Sequence, residues 1–146
     1  MKRKDVLSKL YDVAGQVKET KMTIAVQHED DLLEFIRSSK LTHVSRKILG
    51  YLLEHETLNQ RSMAKLINVS SQSVSETIKK LLDKQLIIKQ QGVQKNENFI
   101  SLTPLGRDVA KRLGVMIEQH AEEVFKSLND EEVDLLYTLL SQVVKR

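Results

Sequence analysis

The chain has 146 residues, 29% of them charged, with a formal net charge of +3 and a single proline. This length fits one domain, and the composition is typical of a helix-rich soluble protein. The sequence contains no cysteine, which excludes disulfides, thiolate catalysis and thiol redox sensing. No apolar run approaches the length of a membrane span, and no signal segment follows the basic start. We therefore expect a cytoplasmic protein with no membrane partner.

The positive charge is concentrated in the middle of the chain. Residues 41–107 hold ten Lys or Arg against five Asp or Glu, whereas the remaining residues hold thirteen against fifteen. Phosphate contacts supply most of the sequence-independent affinity of nucleic-acid-binding proteins, so this asymmetry is expected of a DNA-binding module. A solvated lysine-rich surface gives the same count, and charge alone does not distinguish the two.

The first third of the chain predicts two helices. Apolar residues recur at helical spacing over residues 3–36, which predicts mainly helix, loosened around residues 27–31. Residues 38–40 interrupt this pattern. Thr42 then predicts an N-cap for a second helix, which runs to about His55.

Residues 58–86 indicate two helices joined by a tight turn. The first is predicted over residues 58–66, and the Asn-Val-Ser segment 68–70 ends it, because Asn and Ser side chains hydrogen-bond to nearby backbone at turns and helix starts. Ser70 is predicted to act only as the N-cap of the second helix. One apolar stripe follows along that helix, formed by Val74, Ile78, Leu81 and Leu82.

The opposite face of this second helix is short, polar and basic. It consists of Ser71, Gln72, Ser73, Ser75, Glu76, Lys79 and Lys80. Small hydroxyls, an amide and lysines are groups with which a helix in a DNA groove contacts phosphates and base edges. The segment is therefore a helix-turn-helix candidate.

A β-hairpin is predicted next, with strands over residues 86–88 and 99–102 and a long polar tip between them. Three helices followed by a two-stranded hairpin form a winged helix. A further helix is predicted from Thr103 and Pro104 to about Ser127. The residues predicted on its buried side are Leu105, Val109, Leu113, Met116, Ile117, Val124 and Phe125.

Asn129 and Glu132 have the spacing of a capping box and predict the start of a last helix. The predicted helices on either side of the winged helix are apolar on more than one side, which predicts burial against a second subunit. A dimer would place two recognition helices in successive major grooves about 34 Å apart, on a pseudo-palindromic site.

In their order and spacing these motifs resemble the MarR family of bacterial transcription regulators, over nearly the whole chain. The stretches that carry the resemblance are LTHVSRKIL (41–49), MAKLINVS (63–70), SVSETIKKL (73–81), DKQLI (83–87), SLTPLGR (101–107) and LNDEE (128–132). No single stretch is decisive, because winged helices are common, whereas their combined order is specific.

The resemblance implies a mainly α fold with a small β-hairpin wing, in a single domain over residues 1–146. Residues 41–103 would form the winged-helix DNA-binding part, and residues 1–36 and 106–146 the helices of an obligate homodimer. The implied function is transcription regulation, more often repression than activation, frequently under control of a small-molecule effector bound between the two parts. The effector-binding residues are unknown, and His43 either lines that crevice or has no role.

The predicted partner of the winged helix is double-stranded DNA. The predicted contacts are Arg61, Ser71, Gln72, Ser73, Ser75, Lys79, Lys95 and Asn98. Ser71 and Gln72 lie where the second helix begins and are the predicted base contacts, since Gln can bind adenine through two hydrogen bonds. Arg61 and Lys79 are predicted to hold phosphates, and Lys95 to make the contact from the wing.

Two features depart from the family pattern. The wing usually carries an arginine that enters the minor groove, but Lys95 is the only cation in the tip at residues 94–98. Lysine neutralises phosphate but lacks the flat guanidinium that suits a narrow minor groove. Glu76 stands where many relatives have a basic residue. It either accepts a hydrogen bond from cytosine N4 or pairs with Lys80 one turn later, and the pairing is the favoured interpretation.

Other classes of function have less support. The four histidines, at positions 28, 43, 55 and 120, include no His-x-x-x-His pair, so neither a metal nor another cofactor is predicted. The sequence has no glycine-rich phosphate loop and no nucleophile motif, so we do not predict an enzyme. The alternative is a winged-helix adaptor for protein interactions, which the weak wing and Glu76 favour.

Overall fold

The computed structural model describes residues 2–15, 31–94 and 97–143. Within these residues the elements are α1 (Lys2–Gly15), α2 (Asp31–Ser39), α3 (His43–His55), β1 (Thr57–Asn59), α4 (Gln60–Ile67), α5 (Ser71–Asp83), β2 (Ile87–Gln91), β3 (Asn98–Leu102), α6 (Pro104–Val124) and α7 (Asp130–Val143). The fold is mainly α with a small antiparallel sheet, which confirms the predicted fold class. None of the described helices is both long and apolar enough to cross a bilayer.

The chain divides into two compact units. The first comprises residues 22–113 and is called here the winged-helix unit. The second combines residues 1–21 with residues 114–146 and is called the terminal unit. Helix α6 contributes residues to both.

A continuous apolar core holds the winged-helix unit together. Its largest fully buried side chains are Ile48, Leu49, Leu52, Met63, Val74, Ile78, Leu81, Leu86, Ile87, Ile100 and Val109. They come from α3, α4, α5, both wing strands and the first part of α6, because each element carries apolar residues on one face. Full burial of each such side chain stabilises the fold by about 1.5–3 kcal/mol, so this core fixes α5 relative to the sheet.

The sheet has three strands in the order β1-β3-β2, one more than the predicted hairpin. Strands β2 and β3 form the predicted wing, with Gln91 opposite Asn98, and β1 pairs with the other edge of β3 through Leu58 and Ile100. The prediction that Leu58 lies in a helix was wrong. The Asn59 side chain caps the next helix by accepting a hydrogen bond from the Arg61 amide at 2.9 Å, so α4 begins only after it.

The described part of the predicted helix over residues 3–36 consists of α1 and α2. Residues 16–30, which include most of the predicted loosening and His28, lie outside the described residues. Helix α2 continues to Ser39, past the predicted break at residue 38. The hydroxyls of Ser38 and Ser39 both donate to the Phe35 carbonyl in the last turn, at 3.1 and 2.6 Å. The chain turns at Lys40, whose φ is 51°.

The predicted helix starts are confirmed. Thr42 caps α3 by accepting from the Ser45 amide at 3.2 Å. At the start of α7, Asn129 and Glu132 form the reciprocal capping box, with hydrogen bonds of 3.0 and 2.8 Å between side chains and amides. Thr103 accepts from the Gly106 amide at 2.9 Å and so caps α6.

The terminal unit has its own small core. Its buried side chains are Val6, Leu7, Ala121, Phe125 and Val133. Arg3 joins α1 to the segment before α7, because its guanidinium donates to the Leu128 carbonyl and lies 3.1 Å from an Asp130 carboxylate oxygen.

Helix α6 ends at Val124 instead of the predicted Ser127. Val124 was predicted to be buried, like Leu105 at the other end of α6, but both are exposed.

The chain leaves the C-terminal end of α5 through a residue in the left-handed conformation, which is a position where glycine is usual. The Gln85 amide donates to the Leu82 carbonyl and the Leu86 amide to the Leu81 carbonyl, each at 3.0 Å. This pair of hydrogen bonds is the Schellman motif, and Leu81 and Leu86, the two positions at which the motif favours apolar residues, are both buried in the core. Gln85 occupies the left-handed position, with a φ of 60°.

Gly106 permits a close approach between α6 and the chain that leaves α5. The Leu86 carbonyl oxygen accepts a hydrogen bond from the Thr103 amide at 3.1 Å. A Cβ atom at position 106 would lie 1.8 Å from the same oxygen, far inside van der Waals contact. Only glycine fits here without movement of the backbone.

We expect Gly106→Ala to lower the free energy of unfolding by about 2 kcal/mol or more, because α6 or the Leu86 peptide must move. Gly50→Ala is the control. Gly50 is exposed in α3 and a Cβ there meets nothing within 4 Å, so this change should stabilise by up to about 1 kcal/mol. Denaturant unfolding followed by circular dichroism measures both, and equal effects of the two variants would contradict the steric role of Gly106.

We expect Gln85→Gly to raise the free energy of unfolding by up to about 1 kcal/mol. A left-handed conformation strains a residue with a Cβ by more than glycine loses in unfolded-chain entropy. Lys84→Gly is the matched control, because Lys84 has a right-handed helical φ of −83°, and this change should destabilise. If both variants shifted the denaturation midpoint in the same direction, backbone strain at Gln85 would not be the cause.

Candidate nucleic-acid interface

The connection between α4 and α5 is the tight turn that the sequence predicts. Asn68 ends α4 in the left-handed conformation, with a φ of 59°, and the Val69 amide donates to the Ala64 carbonyl at 3.0 Å. Asn is one of the few residues other than glycine that adopts this conformation readily. Ser70 then caps α5, because its hydroxyl oxygen accepts from the Ser73 amide at 3.1 Å. The predicted N-cap at Ser70 is confirmed.

Ser73 takes part in the same cap. Its hydroxyl oxygen accepts a hydrogen bond from the Ser70 hydroxyl at 3.0 Å, and the residue is half-buried. A contact between Ser73 and DNA would have to compete with this bond. The predicted DNA contact of Ser73 stays a prediction.

Helix α5 has one buried face and one exposed face. Of the predicted stripe, Val74, Ile78 and Leu81 are buried and Leu82 is half-buried. Thr77, which the sequence pattern did not single out, is also buried. The exposed face consists of Ser71, Gln72, Ser75, Glu76, Lys79 and Lys80, all of which the sequence placed there. The whole length of this face is therefore exposed to solvent.

Four of the predicted DNA contacts line one cleft of about 240 Å³ between α4, α5 and β3. These four are Arg61, Ser71, Ser75 and Asn98, and the remaining lining residues are Gln60, Ala64 and Val74. A cation, two hydroxyls and an amide thus converge from three elements, of which β3 is distant in sequence from the two helices. Gln72 and Lys79 do not line this cleft but lie on the exposed face of the same helix.

Gln60 is a residue of this cleft that sequence reasoning missed. It opens α4 directly after the N-cap Asn59. Its side-chain oxygen is buried and accepts no hydrogen bond from the described residues. A buried amide oxygen of this kind is costly unless a donor reaches it. The sequence offered no signal, because a Gln in the first turn of a helix is ordinarily a surface residue.

Glu76 pairs differently from the favoured prediction. Its carboxylate oxygen accepts a hydrogen bond from the Gln72 Nε2 at 3.2 Å. The partner is therefore the amide one turn before it, instead of Lys80 one turn after it, and the predicted ion pair with Lys80 was wrong. Two residues of opposite predicted effect on DNA binding, a base contact and a phosphate-repelling carboxylate, form a single hydrogen-bonded group.

The wing begins as the sequence predicts, and a backbone hydrogen bond of 2.7 Å from the Gly92 amide to the Glu97 carbonyl closes its end. Lys95, the predicted wing contact, lies outside the described residues, and its role stays a prediction. Asn98 is the first residue of β3 and reaches the cleft described above.

The histidines do not form a site among the described residues. His43 is buried at the start of α3, and His55 stacks on Tyr51 with ring centroids 4.4 Å apart. His120 is exposed on α6. Across residues 2–15, 31–94 and 97–143, no three His, Asp or Glu side chains are grouped as metal ligands would be.

Residues 41–94 match the model of the MarR family, whereas no curated protein sequence matches the chain. Among solved structures, the MepR–DNA complex of S. aureus is 21% identical, with a TM-score of 0.66 over 76% of this chain and 83% of that one. A mutant of MarR from E. coli complexed with operator DNA is 20% identical, with a TM-score of 0.65 over 78% and 83%.

The PcaV transcriptional regulator from Streptomyces coelicolor, in complex with its natural ligand, is 22% identical, with a TM-score of 0.65 over 68% of this chain and 71% of that one. At such identities these structures establish the fold, which is the winged helix described above. The family model covers the segment from α3 to the wing, where most of the candidate interface lies. The resemblance to the MarR family of transcription regulators is therefore confirmed, and residues 41–94 carry the family match.

Proposed function

We propose that this protein is a sequence-specific DNA-binding transcription regulator, and specifically a repressor, that acts in the cytoplasm as a homodimer on a pseudo-palindromic operator. The observation that carries the proposal is the convergence of Arg61, Ser71, Ser75 and Asn98 on one cleft beside the exposed face of α5. Arginine, hydroxyl and amide groups are those that proteins use to hold phosphates and read base edges.

The position of α5 in its unit also favours DNA as the partner. Its N-terminal residues, Ser71 and Gln72, are exposed, and recognition helices contact base edges with their N-terminal part. The N-terminus of a helix attracts phosphates, because unpaired amides and the helix dipole place partial positive charge there. Lys79 and Lys80 add exposed cations along the same face.

A homodimer is supported by apolar side chains that the terminal unit leaves exposed. On α7, Leu135, Leu139 and Val143 are spaced four residues apart and are 60%, 50% and 55% exposed. Residues at this spacing form one stripe along a helix, and such a stripe on a soluble protein marks an interaction surface. A second copy with the same stripe meets it in a two-fold arrangement.

A small-molecule effector is part of the proposal by analogy only. The similar PcaV structure contains its natural ligand, whereas the similar MepR and MarR structures contain DNA. We propose that this chain also responds to a small ligand, which changes the spacing of the two recognition helices and releases the operator.

The alternative is a winged-helix adaptor for protein interactions. Glu76 favours it, because a carboxylate on the exposed face of α5 repels phosphate from every DNA sequence. The two functions differ in one measurable property, since a regulator enriches a DNA sequence and an adaptor does not.

Selection of genomic DNA fragments by the purified protein, with the bound sites sequenced and affinity followed across salt, tests the proposal. A regulator should enrich an inverted repeat whose half-sites are about one helical turn apart. Binding without enrichment of any sequence, or no binding, would instead support the adaptor.

We expect Gln72→Ala to reduce the preference for one base of the half-site by about 5- to 150-fold, with little change in affinity for non-specific DNA. Arg61→Ala should weaken binding to all sequences and lower the salt dependence by about one phosphate contact. Titration of matched and mismatched duplexes at several salt concentrations separates the two effects. An equal loss of specific and non-specific affinity in Gln72→Ala would refute its role in base recognition.

We expect Leu139→Glu to raise the dimer dissociation constant by roughly 100-fold or more, because the two-fold axis places two unpaired carboxylates in the apolar contact. Leu66→Glu is the control, since Leu66 is 47% exposed on α4, outside the terminal unit. Sedimentation velocity across a dilution series measures both. A dimer as tight as the wild type in Leu139→Glu would remove α7 from the proposed interface.

A further inference from the structure

The hydrogen bond between Gln72 and Glu76 determines which donor and acceptor groups the exposed face of α5 offers to a ligand. A carboxylate only accepts hydrogen bonds, so it can hold the Gln72 amide only through that amide's NH₂ group. The Gln72 carbonyl oxygen consequently points away from Glu76, and one N–H of the amide remains available next to it. Adenine offers the matching edge, with N6–H₂ as donor and N7 as acceptor.

Glu76 keeps acceptor capacity of its own. One of its carboxylate oxygens takes the Gln72 hydrogen bond, and the residue is exposed. In the major groove, guanine presents two acceptors and thymine an acceptor and a methyl group, so both disfavour a carboxylate. Adenine presents its N6–H₂ donor beside the N7 acceptor, which repels a carboxylate and is better matched by an amide. Cytosine presents the N4–H₂ donor, which a carboxylate accepts.

The two side chains are placed for neighbouring base pairs. They are one helical turn apart, about 6 Å along the α5 axis, and successive base pairs are about 3.4 Å apart. Both lie in the N-terminal half of α5, the part of a recognition helix that contacts bases. One pair of residues therefore spans one or two base steps.

We propose that Gln72 and Glu76 act as one base-reading pair, in which Gln72 binds adenine and Glu76 binds a nearby cytosine while it orients the Gln72 amide. The pair rests on the proposed DNA-binding function and names the bases that this face selects. Glu76 is thus a specificity-determining residue and also the positioning residue for Gln72.

The pair also accounts for a carboxylate among cations. A carboxylate near the DNA backbone is repelled by phosphate and lowers the affinity for every DNA sequence. Where the same carboxylate accepts a hydrogen bond from a cytosine amino group, that bond offsets the repulsion, and this happens only at the correct site. An ion pair with Lys80 would have neutralised Glu76 and weakened this selection. The hydrogen bond to the uncharged Gln72 amide leaves the negative charge in place.

The test is a selection from duplexes with randomised half-sites, carried out with the wild type, Glu76→Ala, Gln72→Ala and Asp83→Ala. Asp83 is an exposed carboxylate at the far end of the same helix, so Asp83→Ala removes the same charge away from the pair. Thermal unfolding checks that each variant is folded. The measured quantities are the preferences for adenine and cytosine at each position and the affinity for non-specific duplex.

In Glu76→Ala we expect the cytosine preference to fall by about 5- to 150-fold. The preference for adenine should fall by about 2- to 10-fold in the same variant, although Gln72 is unchanged, because its amide loses its anchor. Gln72→Ala should lose the adenine preference and retain the cytosine preference. Asp83→Ala should bind all duplexes somewhat more tightly and keep both preferences.

Two results would overturn the pair while leaving a DNA-binding regulator intact. One is a wild type that enriches a half-site whose base preferences Glu76→Ala leaves unchanged. The other is a Glu76→Ala protein that loses the cytosine preference alone, since Glu76 would then not orient Gln72. A wild type that enriches no sequence would overturn both the pair and the proposed function.

Discussion

The carbonyl oxygen of Leu86 is the point on which the arrangement of the winged-helix unit depends. It accepts a hydrogen bond from the Thr103 amide, and only the absence of a side chain at Gly106 leaves room for it. The Leu86 amide meanwhile closes the end of α5. The backbone of one residue therefore joins α5, the end of the wing and the start of α6, so that the direction of α5 is set by backbone contacts at its C-terminal end.

The opposite end of α5 is held by side chains. The Ser70 hydroxyl accepts a hydrogen bond from the Ser73 amide and donates one to the Ser73 hydroxyl, so both hydroxyls are used at the start of the helix. This leaves Ser71 and Gln72, which have no part in the cap, as the first side chains open to a ligand. The chain thus separates the residues that build the helix start from those that remain available for recognition, although all four are small or polar residues in one run.

Local chemistry explains which parts of the fold could be predicted from the sequence. Caps such as Thr42 and Ser70 act over three residues, and the apolar stripe of α5 repeats within one helix. Both can therefore be predicted without knowledge of the tertiary structure. Strand β1 was missed because three residues are too few to establish a period, and its partner β3 lies some forty positions away. The exposure of Leu105 and Val124 depends on what packs against α6, which periodicity alone does not reveal.

The candidate site could likewise be predicted where it depends on local sequence and not where it depends on tertiary packing. The sequence identified the exposed face of α5, but the cleft with Gln60 and Asn98 required the pairing of β3 and the packing of α4. Glu76 had two helical neighbours at equal spacing, Gln72 and Lys80, and no periodic pattern chooses between them. An exposed lysine gains little from a surface ion pair because its ammonium is already well hydrated. The uncharged amide is the partner that the structure selects.

In the proposed interface, a carboxylate on the exposed face of α5 would lower the affinity for DNA and raise the selectivity for one sequence. Its repulsion of phosphate weakens binding to all DNA, but a regulator must distinguish one site from a vast excess of competing sites, so the ratio of specific to non-specific binding matters more than either affinity. A negative charge that only the correct base compensates raises that ratio. In the proposed interface, Arg61, Lys79 and Lys80 would supply the general attraction to DNA, and Glu76 would lower the affinity for incorrect sequences.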